Sequence, residues 1–369
     1  MSRGVLDVAV VGGGPAGLAV AIETARRGLK VAIFERQDEP VDKACGEGIM
    51  PPGVRALDAL GVRSRLLPGE SAEFRSIRYI DSDGTSAEGK LPAPGLAVRR
   101  VALVRAMSDR AREVGADLRF GCTLLSHRCA GAAVLLETDR GPEAAQILVA
   151  ADGLASRLRH EQKLDVPRAG PRRFGLRRHF RCTPWTSSIE IHLAMGAEAY
   201  VTPVSTDCVG VAFLWAEATN EGLGESRWES LQRLFPRLAA RLEGAIPCSR
   251  IRGAGPLDRA SRARTSDRFA LVGDAAGYID AITGEGISLS LLSSVALARI
   301  LPDALRHGAS RAALAPYERD FARLFRRYAF ATRGVLAVVR RPALRREILR
   351  VFRRFPRSFD WLVGQVVDA

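Results

Sequence analysis

The sequence VAVVGGGPAGLAVAIETARRGLKVAIFE, residues 8–35, decides how the chain folds. Its apolar start, residues 8–11, predicts a buried parallel strand, and residues 31–34 predict a second one. Between them, Gly12, Gly14 and Gly17 form a Gly-x-Gly-x-x-Gly turn that opens a helix-like run of small and apolar residues. A glycine turn placed between a strand and a helix is typical of a unit that binds a dinucleotide.

Each glycine has a physical reason to be there. Gly12 permits the tight turn off the strand, Gly14 lets the backbone approach a pyrophosphate, and Gly17 lets the helix pack closely on the sheet. Pro15 and Ala16 stand between these glycines and belong to the same predicted site. The start of the helix offers free N–H groups and the positive end of its dipole to the phosphates.

An acidic residue ends the unit. Glu35 lies 18 residues after Gly17, where a carboxylate accepts hydrogen bonds from a ribose diol, and we include the adjacent Arg36 in the site. FAD and NAD(P) are bound by the same geometry, so this unit leaves the choice of dinucleotide open.

Composition limits the remaining possibilities. A chain of 369 residues can hold one large or two ordinary domains. We find no run near the ~18 consecutive apolar residues that cross a bilayer, and the first strand starts too early for a signal peptide, so we expect a cytoplasmic protein. The six cysteines are scattered without metal-binding spacing, so we predict neither a disulfide framework nor a bound metal.

The net charge of +14 raises the question of nucleic acid. Nearly all the positive charge is arginine, which indicates a compositional bias, and no nucleic-acid-binding motif is present. We therefore expect no nucleic-acid partner. Anionic cofactors or an anionic membrane surface fit the charge better.

The strand–turn pattern returns twice more along the chain. Strands predicted over residues 117–120, 132–138 and 146–150 lead into Asp152-Gly153, and an apolar strand at 269–272 leads into Gly273-Asp274. In contrast, residues 166–252 contain short segments that often alternate, which predicts an antiparallel sheet and a separate domain.

These three motifs, in this order and spacing, resemble those of flavoprotein hydroxylases of the p-hydroxybenzoate hydroxylase fold and their relatives, the geranylgeranyl reductases. The resemblance covers about residues 5–300. It implies that FAD is the bound dinucleotide. It also implies an α/β fold in which a discontinuous Rossmann-like FAD-binding domain is joined by a smaller mixed β-sheet substrate domain and C-terminal helices. On this basis we assign residues 1–70, 98–165 and 256–303 to the FAD-binding domain, 71–97 and 166–255 to the substrate domain, and 304–369 to the C-terminal helices.

The resemblance also implies roles for residues in the third motif. Asp274, after Gly273, would hold the ribityl chain of FAD. Gly284, Gly286 and Ile287 would lie near the flavin ring, because glycines let the backbone come close to a flat ring system. The helix that starts there would direct partial positive charge at the ring.

Two further positions have alternative interpretations. Asp152 and Gly153 match a region associated with both FAD and the nicotinamide donor; alternatively, Asp152 is a helix cap beside a solvent-facing Arg159. Arg100 matches an arginine that the family places near the flavin pyrophosphate, as suits an always-charged guanidinium; alternatively, its neighbour Arg99 has this role, or Arg100 is a surface residue.

The electron donor has no Rossmann unit of its own, because no second Gly-x-Gly-x-x-Gly occurs. NADPH or NADH would then dock transiently. A basic cluster could meet its phosphates, although a solvated strand edge explains the cluster equally simply: Arg172, Arg173, Arg177, Arg178 and His179.

Two reactions fit the resemblance. The first is NAD(P)H-dependent hydroxylation or epoxidation of a hydrophobic small molecule in secondary metabolism. The second is reduction of prenyl chains, as in geranylgeranyl reductases, favoured by Cys45-Gly46-Glu47-Gly48. A protein that keeps FAD without turnover is a third class. Candidate catalytic residues are Cys45, which is also a cofactor contact, and Tyr200; alternatively, Cys45 is a packing residue of its loop.

The reductases' aromatic-rich strand is replaced here by Tyr200-Val201-Thr202-Pro203, which weakens the second reaction. By resemblance, Tyr200, Thr202 and Pro203 face a small aromatic, polyketide or prenyl substrate. As an alternative, Tyr200 is an ordinary core residue. The sequence gives no indication of the oligomeric state.

The tail is strongly basic, with thirteen arginines over residues 319–357 against two acids. Leu344, Ile348, Val351 and Phe355 recur at helical spacing. Such a helix lies either on an anionic membrane, making the protein peripheral to the inner face of the membrane, or over the active site with its charged face outward.

Overall fold

In a computed structural model of the chain, the structure describes residues 4–167, 171–217 and 226–367. These residues form two large sheets, a two-stranded ribbon and ten helices. The elements of the first sheet are β1 (Leu6–Val11), β2 (Val31–Glu35), β6 (Asp117–Phe120), β7 (Leu124–Ala130), β8 (Ala133–Thr138), β9 (Gly141–Ala150), β17 (Thr265–Ser266) and β18 (Phe269–Leu271).

The second sheet and the ribbon are formed by the other strands. The second sheet contains β3 (Gly48–Ile49), β4 (Ser71–Asp81), β5 (Ser86–Val98), β10 (Arg173–Arg181), β11 (Ile189–Leu193), β12 (Ala197–Ser205), β13 (Cys208–Ala216), β14 (Ile246–Pro247) and β15 (Arg252–Ala254). The ribbon pairs β16 (Arg259–Ala260) with β19 (Gly277–Tyr278).

The helices are α1 (Pro15–Ala25), α2 (Pro51–Leu60), α3 (Arg100–Glu113), α4 (Arg157–Glu161), α5 (Arg227–Arg233), α6 (Pro236–Arg241), α7 (Gly286–Arg306), α8 (Ala315–Val339), α9 (Pro342–Arg354) and α10 (Pro356–Val367). Prolines begin the last two, at Pro342 and Pro356, and Pro316 is the second residue of α8. Helix α2 ends at Leu60, because Gly61 turns the chain into the left-handed region with φ +72°.

The first sheet brings together three strands that are far apart in sequence. Its order is β17-β18-β9-β1-β2-β6, and β1, β9 and β18 run parallel as neighbours. Strands β7 and β8 extend β9 in an antiparallel hairpin, of which the sequence predicted only β8. The α/β fold class predicted from the sequence is confirmed, with the second sheet mixed because β11 runs parallel to β4.

Helices cover both sheets. The first sheet packs its Val, Ile, Leu and Ala side chains against α1, α3 and α7. One face of the second sheet packs on α5 and α6, and α8, α9 and α10 cover the other face. Of the described helices, only α7 is long and apolar enough to cross a membrane, and 56% of that apolar stretch is buried inside the protein. It packs against α1, α2 and α8, as a core helix does.

Candidate active site

Three turns meet at one edge of the first sheet. The register aligns Val11 with Ala150, and Ala150 with Leu271, so the segments after β1, β9 and β18 leave the sheet side by side. A methyl group on Gly12 would lie 2.3 Å from the carbonyl oxygen of Ala151, which shows how closely the first two turns touch. Ligands of parallel sheets bind at this carboxyl edge.

Two glycines of the first turn are required by this packing. Gly12 has φ +112°, a backbone conformation that L side chains rarely adopt. A methyl group on Gly17 would lie 2.0 Å from the Gly12 carbonyl oxygen, so any side chain there would push α1 off the turn. Gly14 precedes α1, and Pro15 is its first residue, as is common where N–H groups remain free.

A cavity of about 400 Å³ lies between this edge and the second sheet. Its walls bring together twelve of the residues predicted for the site: Gly14, Pro15, Ala16, Cys45, Arg100, Gly153, Tyr200, Thr202, Asp274, Gly284, Gly286 and Ile287.

The other predicted residues lie behind the wall or beside it: Gly12, Gly17, Glu35, Arg36, Asp152, Gly273 and Pro203. Glu35 accepts hydrogen bonds from the backbone N–H groups of Gly13, at 2.7 Å, and Gln37, at 3.1 Å. Arg36 is exposed, and Pro203 is buried in β12 opposite Val209.

Positive charge faces the first turn. Arg100 places Nη2 3.4 Å from where a methyl group on Gly14 would be, and its buried Nε has no partner among the described residues. Burial raises the pKa of the Asp274 carboxyl, against the opposing effect of Arg100 and Lys43. Burial also lowers the pKa of Lys43, and Arg100 lowers it further. The sequence singled out Cys45-Gly46-Glu47-Gly48 in the same loop, but not Lys43.

The residues present fit FAD. Arg100 and Lys43 supply cationic groups beside the free N–H groups of α1, which suits a pyrophosphate. Asp274, across the same cavity, supplies an acceptor for hydroxyl groups. An unpaired buried donor on Arg100 and an unpaired buried acceptor, Asp152 Oδ1, adjoin the turns and call for polar partners from a ligand or water.

The second motif caps a helix and joins the third motif. Asp152 Oδ2 accepts the Leu158 N–H at 3.1 Å, near the start of α4. Arg159, expected at the surface if Asp152 is a cap, is instead buried. It donates to Asp165 at 2.6 Å and to the carbonyl oxygen of Ala275 at 3.0 Å. The solvent-facing alternative for Arg159 is therefore wrong, because this guanidinium ties the second turn to the third.

A buried polar network fixes the loop of residues 42–48 on the second sheet. Glu47, 1% exposed and at φ +60°, accepts the Arg100 N–H at 2.9 Å and lies 2.5 Å from His179 Nε2. Arg177 pairs with Asp42 and donates to the carbonyl oxygen of Lys43 at 2.9 Å. The loop that carries Cys45 is thus held from several sides.

The basic cluster on β10 is largely committed to partners inside the protein. Arg173 pairs with Glu198 at 2.6 Å and Asp280 at 2.7 Å, and Arg177 and His179 are buried in the network described above. For the buried Arg173, Arg177 and His179 the solvated-edge interpretation is wrong, because β10 is flanked by β13 on one side and by β14 and β15 on the other; Arg172, before the strand, is exposed.

Cys45 and Tyr200 both face the cavity. Burial raises the pKa of the Cys45 thiol, and its sulfur accepts the Glu47 N–H at 3.3 Å. The Tyr200 hydroxyl donates to the carbonyl oxygen of Ile282 at 3.2 Å, and burial raises its pKa well above the usual range. Thr202 donates to the carbonyl oxygen of Gly46 at 2.8 Å, so β12 is bonded to the loop.

One part of the cavity wall is apolar and was missed from the sequence: Met50, Ile77, Ile189, Ile191 and Leu214. The alternation of Ile189 and Ile191 along β11 is the signal that marks one face of this strand.

Comparison with known proteins places the chain in a family. The profile of the FAD binding domain family matches residues 5–329. A putative 2-heptyl-3-hydroxy-4(1H)-quinolone synthase of Rhodococcus erythropolis is 29% identical over 306 residues, covering 79% of this chain and 78% of the relative. A menaquinone reductase of Mycolicibacterium smegmatis is 28% identical over 305 residues, covering 77% of this chain and 73% of the relative.

A solved structure has the same fold. The flavoprotein/dehydrogenase of Cytophaga hutchinsonii superposes with a TM-score of 0.80 at 20% identity, covering 93% of this chain and 87% of the other. Together with the profile match, the fold and the three convergent turns lead to one conclusion: the chain belongs to the FAD binding domain family and is an FAD-dependent oxidoreductase.

Proposed function

We propose that this oxidoreductase is a monooxygenase that uses NADPH or NADH to insert one oxygen atom into a hydrophobic small molecule. The apolar wall formed by β4, β11 and β13 is the observation that carries the proposal. A substrate bound against this wall would bury apolar surface and form few hydrogen bonds. Such a wall suits an aromatic or alkyl-substituted molecule. The similarity to a putative quinolone synthase supports the same class.

The proposed reaction is balanced by its co-substrates. NAD(P)H, a proton, O₂ and substrate give NAD(P)⁺, water and a product with one added oxygen. When bound, the flavin supplies the electron transfer and the activation of O₂. The chain positions the reactants and excludes water.

We assign three tasks to the chain's own residues. Arg100, Lys43 and the start of α1 hold the pyrophosphate, and Asp274 accepts hydrogen bonds from the ribityl hydroxyls. Gly284 and Gly286 let the start of α7 approach the ring and present partial positive charge to it. The C-terminal helices close the apolar face of the second sheet and limit the access of water.

A second candidate reaction, reduction of a prenylated quinone or prenyl chain, is supported by Cys45. Its thiol lines the cavity, and its raised pKa keeps the thiol protonated at neutral pH. A group that donates a proton during reduction of a double bond must be protonated. The similarity to a menaquinone reductase supports this candidate.

Product analysis separates the two reactions. The purified enzyme, loaded with FAD, is incubated with NADPH or NADH and either an alkylquinolone or a menaquinone under oxygen-18 gas. The mass of the product is then measured by mass spectrometry. We expect one labelled oxygen in the product. A product that gains two hydrogens and no label, and that also forms without oxygen, would contradict the monooxygenase reaction and support the reductase reaction.

A further inference from the structure

The outer surface of the C-terminal helices carries an unusual exposed stripe. Leu344 and Val351 on α9, and Phe355 directly after it, are 42%, 51% and 57% exposed, and Trp361 and Leu362 on α10 are 66% and 38% exposed. The spacing of Leu344 and Val351 places both on one side of α9, and Phe355 follows at the end of the helix. We call these five residues the C-terminal stripe.

The opposite sides of the same helices are firmly attached to the protein. Arg345 is buried and pairs with Asp81 through two contacts of 2.8 Å, and Leu349 packs into the core beside it. On α10, Phe359 and Val363 pack on β5. The helices therefore use one face to cover the second sheet, and the stripe is left without a partner in the described part of the chain.

Arginines border the stripe. A cavity of about 910 Å³ at the corner between α9 and α10 is lined by Arg353, Arg354 and Arg357, with Lys90 from β5 beside them, and by two carboxylates, Glu88 and Asp360. No carboxylate in the described ranges forms an ion pair with Arg353 or Arg357. An exposed apolar stripe beside unpaired cations matches the lipid tails and phosphate headgroups of a membrane surface.

We propose that the C-terminal stripe and its bordering arginines dock this protein on the surface of an anionic phospholipid membrane. A second copy of the chain fits less well, because a symmetric dimer through this face would oppose two basic surfaces. The inner faces of α9 and α10 pack on the sheet that lines the cavity, so docking would bring a lipid-soluble substrate close to that sheet. The inference concerns binding alone and does not depend on which reaction the flavin performs.

Vesicle co-sedimentation tests the proposal with the full-length, FAD-loaded protein. Vesicles contain either phosphatidylcholine alone or equal parts of phosphatidylcholine and phosphatidylglycerol. We expect binding to the anionic vesicles, weaker binding as salt is raised, and little binding to the neutral ones. Sedimentation velocity without vesicles reports whether the same face forms a dimer.

Variants identify the surface. The double variant Phe355→Ser/Trp361→Ser and the charge variant Arg353→Glu/Arg357→Glu should each lower the vesicle partition coefficient by about tenfold or more. Leu125→Ser, at a residue 54% exposed on the first sheet, is the matched control and should bind as the unmodified protein does. Retained FAD and circular dichroism check that each variant is folded. Unchanged binding in both double variants, no binding of the unmodified protein, or a stripe-dependent dimer instead of vesicle binding would overturn the proposal.

Discussion

Glu285 offers a quantitative test of the electrostatics at the start of α7. It stands between Gly284 and Gly286, which line the cavity. Its Oε2 is shielded from solvent and has no hydrogen-bond partner among the described residues. Burial raises the pKa of this carboxyl to about 7, against a smaller opposing effect of a hydrogen bond with Thr283.

The sign and size of the effect follow from proton linkage. In the unfolded chain the carboxyl has its ordinary pKa of 4.5, so the folded state binds the proton more tightly. The stabilisation that this carboxyl contributes is fully present below its pKa in the unfolded chain. It is lost as the pH rises through its pKa in the folded protein. Between about pH 5 and about pH 8, Glu285 should lower the free energy of unfolding by about 2.5 kcal/mol. Glu285→Gln cannot ionise and should lose this dependence.

Urea unfolding of the two proteins at both pH values, with saturating FAD, measures the difference directly. The free energy of unfolding of Glu285→Gln minus that of the unmodified protein should grow by about 2.5 kcal/mol from the lower to the higher pH. Glu243→Gln, which alters an exposed carboxyl, should show a constant difference. If the free energies of unfolding of Glu285→Gln and of the unmodified protein change equally with pH, the carboxyl is not buried as described.

Three further substitutions test packing and buried charge. Gly17→Ala should lower the free energy of unfolding in urea by about 1–3 kcal/mol and release FAD. The control Gly334→Ala, in open space on α8, should raise the free energy of unfolding by about 1 kcal/mol, and equal effects of the two substitutions would contradict the close packing at Gly17. Glu47→Ala strips His179 of a buried partner and should cost about 3 kcal/mol in the same assay, with a loss below about 1 kcal/mol arguing against the network. Arg345→Ala should cost about 3–5 kcal/mol and open α9 to limited proteolysis; an unchanged cleavage pattern would refute its anchoring role.

The sequence predicted the first sheet well because its signals are local. A strand, a glycine turn and a helix start are neighbours along the chain, so the turns at Gly12, Gly153 and Gly273 could be found without knowing any tertiary contact. That the three turns meet depended on the resemblance, because β1, β9 and β18 are more than a hundred residues apart.

Long-range partners account for what the sequence did not predict. Arg173 and Arg177 look like surface residues in a basic run, and only their contacts with Asp280 and Asp42, more than a hundred residues away, bury them. The tail shows the same limit: its spacing predicted an apolar face, yet Arg345 faces inward because Asp81 is buried beneath it.

The affinity of the FAD-free protein for FAD, measured by calorimetric titration, tests the central claim that three distant turns hold one flavin. We predict one FAD per chain, and about tenfold or more weaker binding for Asp274→Ala, because the hydrogen bond that this carboxyl accepts from the cofactor is lost. Asp303→Ala, at an exposed acid on α7, should bind as the unmodified protein does. Unmodified protein that takes up no FAD, or Asp274→Ala that binds FAD with undiminished affinity, would contradict the account.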